Sequence, residues 1–289
     1  MRTRTDLFGI SAVCLFLVGC ADAEVSPMTD EQRDSIQVIT PDEVDYQPLN
    51  PARGDASPRA GVLWGDIRQN VASGVFLRFA AGFTSPPHIH NITYRAVVIT
   101  GEVHNDDPEA ARLWMGPGSF WIQPAGEDHI TAAPPSSGAT AFLEILEGPY
   151  LVQPSQDAFE NSERPINLVP SNMVWMGPDA FGWIRPTPNQ ETQPEATLLW
   201  GSLEPGKPSA TFVKLPPSYS GTLHTIDASL KAVTIAGDVL HEVLDVTESR
   251  ALTPGGYFAS ADGVPHSLTC EAESHCLIYV RTDGQFRLE

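Results

Sequence analysis

The chain has 289 residues, a formal net charge of −19 and an apolar content of 42%. This length and apolar content allow one large or two ordinary domains, each with a buried core. The acidic charge excludes the basic surface that nucleic-acid binding requires, so no nucleic-acid partner is expected.

The first nineteen residues are predicted to be an export signal. Arg2 and Arg4 precede thirteen uncharged residues, a run too short to span a bilayer as a mature helix. The run ends in LVGC at Cys20, which resembles the lipobox of bacterial lipoproteins. The resemblance implies cleavage before Cys20, a lipid anchor on its thiol and a periplasm-facing place in the cell envelope. Because Ala21 follows, the outer membrane is favoured; the alternative is an ordinary signal peptide with a chance cysteine.

The rest of the chain is a tandem duplication. The segment VLWGDIRQNVASGVFLRFAAGFTSPPHIH from Val62 and the segment LLWGSLEPGKPSATFVKLPPSYSGTLHTI from Leu198 match at an offset of 136 residues. Such a match held over many positions indicates two copies of one unit. The predicted organisation is a signal peptide over 1–19, a flexible tether over 20–35, a first domain over 36–151, a polar connector over 152–164 and a second domain over 165–289.

Short β-type runs separated by turn residues follow in each repeat. Examples are GVFLRFA, YRAVVIT, SFWIQP and ATAFLEIL in the first repeat, and ATFVKL, KAVTIAG and HCLIYVR in the second. No long amphipathic helix is evident after the signal. Short and regularly spaced strands of this kind predict an all-β fold with a barrel or sandwich in each repeat.

Two histidine-containing motifs stand in the first repeat. Their defined positions are Gly82, His88, His90, Tyr94, Gly101, Gly118, Pro124, Gly126 and His129. The spacing is similar to the signature motifs of the cupin superfamily, G-x5-H-x-H-x3/4-E-x6-G and G-x5-P-x-G-x2-H-x3-N. Tyr94 stands where the family has glutamate, and Ala133 stands where it has asparagine. The resemblance implies two tandem cupin barrels, each a double-stranded β-helix (jelly roll). More narrowly, the chain resembles exported two-cupin proteins with no assigned activity.

The histidines of the first repeat are predicted to bind a metal. Residues i and i+2 of a strand point to one face, so His88 and His90 project together, and the turn at Pro124 can bring His129 opposite them. Three neutral imidazoles with open positions suit one divalent transition metal, with Fe(II) favoured over Mn, Ni, Cu or Zn. A phenol is a poor ligand at neutral pH, so Tyr94 is predicted to line the pocket or donate a hydrogen bond there.

Glu144 is a further candidate, because it stands between apolar neighbours in TAFLEILEG. It either faces the cavity as an acid or base, or it faces water. A charged side chain is usually exposed, so the second interpretation is favoured.

The second repeat has lost part of this pattern. His224 and His266 remain, but Ile226 replaces the second histidine and Leu230 stands at the glutamate position. Two histidines hold a metal weakly. This half is therefore predicted to be a degenerate site with a structural or homodimer-forming role, and a weak site completed by His241 is the alternative.

The cysteines Cys270 and Cys276 flank a short polar loop between two β-rich runs. This predicts a hairpin closed by a disulfide in an oxidising periplasm. The alternative is a metal clip that adds His275, which is weaker because no second histidine is nearby.

Two functions fit these features. The first is an enzyme, a mononuclear metal oxygenase or a related lyase or isomerase acting on a small oxygen-rich molecule through the first site. The second is a non-catalytic, lipid-anchored protein that binds a ligand or a metal. No second catalytic residue is identifiable from the sequence, so whether the protein is an enzyme stays open at this point.

Overall fold

The computed structural model describes residues 28–188 and 190–289. The predicted signal peptide and the predicted lipidation site, Cys20, lie outside this range. Within it, no helix has the length and the apolar character needed to cross a membrane.

The described chain consists mainly of β-strands. The strands of the first half are β1 (Gln37–Ile39), β2 (Tyr46–Pro48), β3 (Arg59–Trp64), β4 (Ser73–Phe79), β5 (His88–His90), β6 (Tyr94–Thr100), β7 (His104–Asp106), β8 (Phe120–Gln123), β9 (Ile130–Ala132), β10 (Ala139–Ile145) and β11 (Val152–Pro154). Those of the second half are β12 (Ile166–Leu168), β13 (Glu195–Gly201), β14 (Ser209–Leu215), β15 (Ser220–Ile226), β16 (Leu230–Ala236), β17 (Val239–Glu242), β18 (Arg250–Leu252), β19 (Tyr257–Ser260), β20 (His266–Cys270), β21 (Cys276–Thr282) and β22 (Gln285–Leu288). Helices in this part of the chain are short: α1 (Asp30–Asp34) and the 3-10 turns Pro51–Ala56, Ser155–Asp157 and Pro170–Asn172.

The strands form one barrel in each half, and the paired strands run antiparallel. In the first half, a large sheet with the order β12-β8-β6-β10-β4-β3-β2 is accompanied by two short ladders, β11-β5 and β7-β9. In the second half, a sheet with the order β1-β19-β16-β21-β14-β13 is accompanied by the sheet β18-β17-β20-β15-β22. The predicted all-β fold of two barrels is therefore confirmed.

Strand β6 shows how the two barrels fit together. Tyr94 and Val98 point into the first barrel, where they belong to its buried core. Val97 and Ile99 point the other way, into a third apolar cluster that also contains Phe212 of the second barrel. Successive residues of a strand face opposite sides, so β6 is apolar throughout because both of its sides are covered.

The first strand of each half lies in the sheet of the other half. Strand β1 pairs with β19 of the second barrel, with Val38 opposite Phe258. Strand β12 pairs with β8 of the first barrel, with Asn167 opposite Trp121. Each exchanged strand covers a sheet edge that would otherwise be open. The predicted domain limits of 36–151 and 165–289 therefore differ from the structure at these two strands.

The predicted tether and connector also contribute to the folded structure. Gln32 in α1 donates a hydrogen bond from Nε2 to the carbonyl of Asp262 at 2.9 Å, so the end of the predicted tether contacts the second barrel. The start of the predicted connector forms β11, in which Val152 lies opposite His90. Residues 30–34 of the predicted tether and residues 152–154 of the predicted connector therefore belong to the folded structure, as α1 and β11.

Cys270 and Cys276 form a disulfide with a Cα–Cα distance of 5.7 Å. The predicted hairpin around it was wrong, because β20 and β21 belong to different sheets of the second barrel. The bridge therefore closes a corner between two sheets. The alternative clip with His275 has no support, since the two sulfur atoms are bonded to each other.

Candidate metal centre

The backbone brings three histidines of the first barrel together. His88 and His129 exchange two hydrogen bonds of 3.0 Å between their amides and carbonyls, as directly opposed residues of an antiparallel pair do. His90 follows two residues after His88 on β5 and so shares its face. The ring centroids lie 5.0 Å apart for His88 and His90, 4.3 Å for His88 and His129, and 5.2 Å for His90 and His129.

Each of the three imidazoles is held by a backbone carbonyl. The Nδ1 atoms lie 2.9 Å from the carbonyl of Pro86 for His88, 2.9 Å from that of Leu151 for His90 and 3.1 Å from that of Glu127 for His129. A carbonyl only accepts, so Nδ1 carries the proton in each neutral ring and the lone pair is left on Nε2. One nitrogen of each ring lies within 4.8 Å of the others, which suits a shared cation.

A glycine turn positions His129 relative to His90. The amide of Gly126 donates a hydrogen bond to the carbonyl of His90 at 2.8 Å. Gly126 has a φ of +78°, and a Cβ atom there would lie 2.2 Å from the carbonyl oxygen of Phe159. The position therefore requires glycine, both for its backbone conformation and for the close approach of 126 to 159.

Burial keeps the three imidazoles neutral. Burial, with the neighbouring His88 as a smaller cause, lowers the pKa of His129 to about 3. It also lowers the pKa of His88, and it lowers the pKa of His90 well below the usual value. Metal ligands must be deprotonated, so all three rings are in the binding form at neutral pH.

Tyr94 lines the cavity beside the histidines and takes part in a buried hydrogen-bond chain. Its hydroxyl donates to Oδ1 of Asn105 at 2.9 Å and lies 3.4 Å from Nε2 of His129. Asn105 donates to Gln123 at 2.8 Å, and Gln123 donates to the carbonyl of Glu127 at 3.0 Å. Burial raises the pKa of Tyr94 to about 12, so the phenol stays neutral.

Tyr150 is a site residue that the sequence analysis missed. Its ring stacks on that of His90 with centroids 4.3 Å apart, and its hydroxyl lies 3.1 Å from Nε2 of His90. Burial raises its pKa well above 10, so it too remains a neutral donor. The only sequence signal for it was the apolar run from Tyr150 to Val152, just ahead of the polar part of the predicted connector.

A cavity of about 570 Å³ extends from the histidines to the surface of the first barrel. His88, His90, Tyr94 and Tyr150 line its inner end. A volume of this size accommodates a small organic molecule. The donors therefore lie at the end of a pocket from which a ligand can reach them.

Glu144 lies neither in this cavity nor in water, so both interpretations of it were wrong. It is fully buried between the two barrels. Its carboxylate accepts hydrogen bonds from the hydroxyl of Tyr279 at 2.7 Å and from Nε of Arg281 at 3.0 Å. Glu144 faces away from the histidines because its neighbour Leu143 is the residue of β10 that lines the cavity.

His224 and His266, the two histidines that remain in the second barrel, do not converge, so they form no metal site together. The residue opposite His266 on β15 is Leu223, so His224 points to the other face and lies 4.0 Å from Glu289. Because side chains alternate between the two faces of a strand, a shift of one residue in the register places a side chain on the opposite face. His266 instead forms a hydrogen bond with His241, in which the two ring nitrogens, Nδ1 of His266 and Nε2 of His241, lie 2.8 Å apart.

His241 leads to a prediction about acid stability. Burial lowers its pKa to about 4, and Arg250 adds to this effect, whereas a histidine in an unfolded chain titrates near about 6.5. Between these values only the unfolded state binds the proton, so stability falls as the pH falls, by about 1.4 kcal/mol per pH unit. We expect His241→Gln to reduce the slope of the unfolding free energy against pH by about 1.4 kcal/mol per pH unit in this window, which corresponds to one proton.

Denaturant unfolding at several pH values measures that slope. His224→Gln, at a half-exposed position of the same barrel, is the matched control and should keep it. An unchanged slope in His241→Gln would show that His241 is not the group that titrates.

Comparisons with known proteins identify the family of the chain and relate its fold to solved structures. Residues 37–289 match the family model described as Domain of unknown function (DUF4437). No match was found among curated proteins.

Solved structures resemble the chain over most of its length. A candidate dioxygenase from Nostoc punctiforme has a TM-score of 0.65 and 14% identity, over 87% of this chain and 83% of that one. Salicylate 1,2-dioxygenase from Pseudaminobacter salicylatoxidans has a TM-score of 0.57 and 13% identity, over 92% and 91%. Oxalate decarboxylase from Lactobacillus farciminis has a TM-score of 0.52 and 10% identity, over 86% and 87%.

At these identities the likeness establishes the fold and not the reaction. The neighbours are cupin-type proteins, and the last of them has two cupin barrels, as expected for the fold that the histidine motifs suggest. The chain is thus a two-barrel protein of the cupin fold, and it belongs to the family described as Domain of unknown function (DUF4437).

Proposed function

We propose that the protein is a mononuclear metal enzyme of the oxygenase type that acts on a small oxygen-rich molecule in the first barrel. The observation that carries the proposal is the convergence of His88, His90 and His129, with one ring nitrogen of each within 4.8 Å of the others, beside a cavity that His88 and His90 line. Dioxygenases among the structural neighbours, one of them solved with gentisate, agree with this reaction class.

The donor set fits a divalent transition metal, and Fe(II) is favoured. Three neutral imidazoles without a carboxylate leave the charge of the cation uncompensated, which favours an anionic ligand at an open position. Such a metal, when bound, supplies Lewis acidity and, if it is iron, access to O2 chemistry. The backbone carbonyls of Pro86, Leu151 and Glu127 fix the orientation of the rings.

The two tyrosines are assigned to binding and orienting the substrate. Tyr150 directs its hydroxyl at Nε2 of His90, and a cation on that nitrogen would remove this acceptor. The hydroxyl is then available as a donor to an oxygen of the substrate. Tyr94 already donates to Asn105, so its oxygen is available mainly as an acceptor. The apolar walls of the cavity limit the access of water.

Oxygen consumption tests the reaction class. Protein loaded with Fe(II) is offered β-diketones, hydroxyketones and thiols, and O2 uptake is followed with an electrode. We expect uptake with at least one compound, and a loss of about 100-fold in kcat for Tyr150→Phe, as when one preorganised donor is removed. Metal content should stay unchanged in that variant. If wild-type protein consumes no O2 with any compound, the enzymatic proposal fails in favour of non-catalytic ligand binding.

We also propose that the protein is attached to the cell envelope, with the outer membrane favoured, through a lipid on Cys20. The support is the LVGC sequence behind an uncharged run, together with the disulfide between Cys270 and Cys276. Disulfides persist in oxidising compartments such as the periplasm. Radiolabelled palmitate incorporation into wild-type protein, and its loss in Cys20→Ser, tests this placement.

A further inference from the structure

The charged residues that line the cavity are all basic. Among the described residues around it, Arg53 and Arg68 contribute to the lining and no Asp or Glu does. The chain as a whole carries 36 acidic residues against 17 basic ones. The lining is therefore positively charged although the chain as a whole is acidic. A positively charged lining favours negatively charged ligands.

Both arginines are free to bind a ligand. In the described part of the chain, neither guanidinium has a carboxylate within 4.0 Å, although other arginines form such pairs. Both residues are exposed, Arg53 next to the turn at Gly54 and Arg68 in the loop between β3 and β4.

The walls between the arginines and the histidines are mainly apolar. Ile67, Leu77, Phe79, Phe83, Trp121 and Leu143 contribute to them, and Ser85 and Thr131 add polar groups. Against the apolar side chains a ligand loses water without gaining hydrogen bonds, so an apolar body is favoured there.

We propose that the ligand of this cavity is an anion with an apolar body. Arg53 and Arg68 hold its carboxylate, sulfonate or phosphate group at the mouth, and the walls enclose its body. Arginine suits this role because its planar guanidinium binds such groups in a bidentate manner. The assignment of the opposite end of the ligand to the three histidines rests on the proposed function, whereas the contacts at the mouth and walls do not.

Two fluorescent dyes with similar apolar bodies test the proposal. Anilinonaphthalene sulfonate carries an anionic group, and N-phenylnaphthylamine does not. Their dissociation constants are measured by fluorescence titration of the metal-free protein. We expect the sulfonate to bind wild-type protein more tightly than the neutral dye. In Arg53→Gln/Arg68→Gln, we expect the affinity for the sulfonate to fall by about tenfold, as for the loss of a charge-assisted bond, with the neutral dye unaffected.

Two further variants locate the dyes. Arg33→Gln/Arg112→Gln removes the same charge from exposed positions outside the cavity and should leave both affinities unchanged. Leu49→Trp narrows the cavity mouth and should weaken both dyes. Equal loss of sulfonate binding in the two double variants would overturn the role of the arginines, and unaltered binding in Leu49→Trp would overturn the cavity as the site. Because these measurements need neither metal nor turnover, their failure is distinct from failure of the enzymatic proposal.

Discussion

Replacing His90 with alanine is expected to abolish metal binding by the protein. The wild-type protein without the predicted signal and Cys20, residues 21–289, should bind about one Fe(II) or Zn(II) ion per chain through three imidazole nitrogens. Removing a residue that only hydrogen-bonds to a metal ligand already lowers metal affinity by about 10–100-fold. Removing a ligand itself should therefore lower it by more than about 100-fold. Metal content after desalting and competition with a chelator measure this change.

The second barrel provides the control for that experiment. His224→Ala removes a histidine that the sequence pattern relates to His88 but that the structure places on the outer face of β15. It should keep the wild-type metal content. Thermal unfolding gives a second measurement, because a metal in about 100-fold excess over its dissociation constant stabilises the fold by about 2.7 kcal/mol. Equal metal content in wild type and His90→Ala would rule out the proposed ligand set.

The second large effect is expected at the ion pair between the barrels. Burial alone would lower the pKa of Arg281, but Glu144 and Asp283 raise it overall, so the guanidinium is charged. Arg281→Met leaves the carboxylate of Glu144, which is fully buried, without the cation that donates a hydrogen bond to it. Breaking a buried pair in this way costs about 3–5 kcal/mol, and denaturant unfolding should show a loss of this size.

The double variant Glu144→Gln/Arg281→Met distinguishes charge from packing. It removes both charges and keeps an oxygen that can accept the hydrogen bond of Tyr279. Its stability should lie well above that of Arg281→Met alone, since no unpaired charge remains buried. A double variant as unstable as the single one would mean that the loss comes from packing around residue 281.

Local patterns were sufficient to predict the strands and the histidine cluster. Runs such as YRAVVIT became β6. The spacing of His88 and His90 determined their common face, because side chains on a strand alternate. His129 could be predicted from its motif, because the motif includes Gly126, the glycine that the turn before His129 requires.

Features that depend on contacts distant in sequence could not be predicted in this way. Glu144 finds its partner 137 residues away in the other barrel, and nothing near it in the sequence marks Arg281. The position of His224 depends on a one-residue difference in register. Tyr150 reaches His90 across 60 residues, at the start of a segment whose composition is that of a linker.

The reciprocal placement of β1 and β12 bears on how the duplication arose. A single cut between 164 and 165 would give each fragment a strand that belongs to the other fragment's sheet. This is the arrangement of a swapped dimer, in which identical copies exchange one element. A single-unit ancestor with the same leading strand could complete its sheet by pairing with a second copy. In this chain the two units are covalently linked, so each completes the sheet of the other without an association that depends on protein concentration.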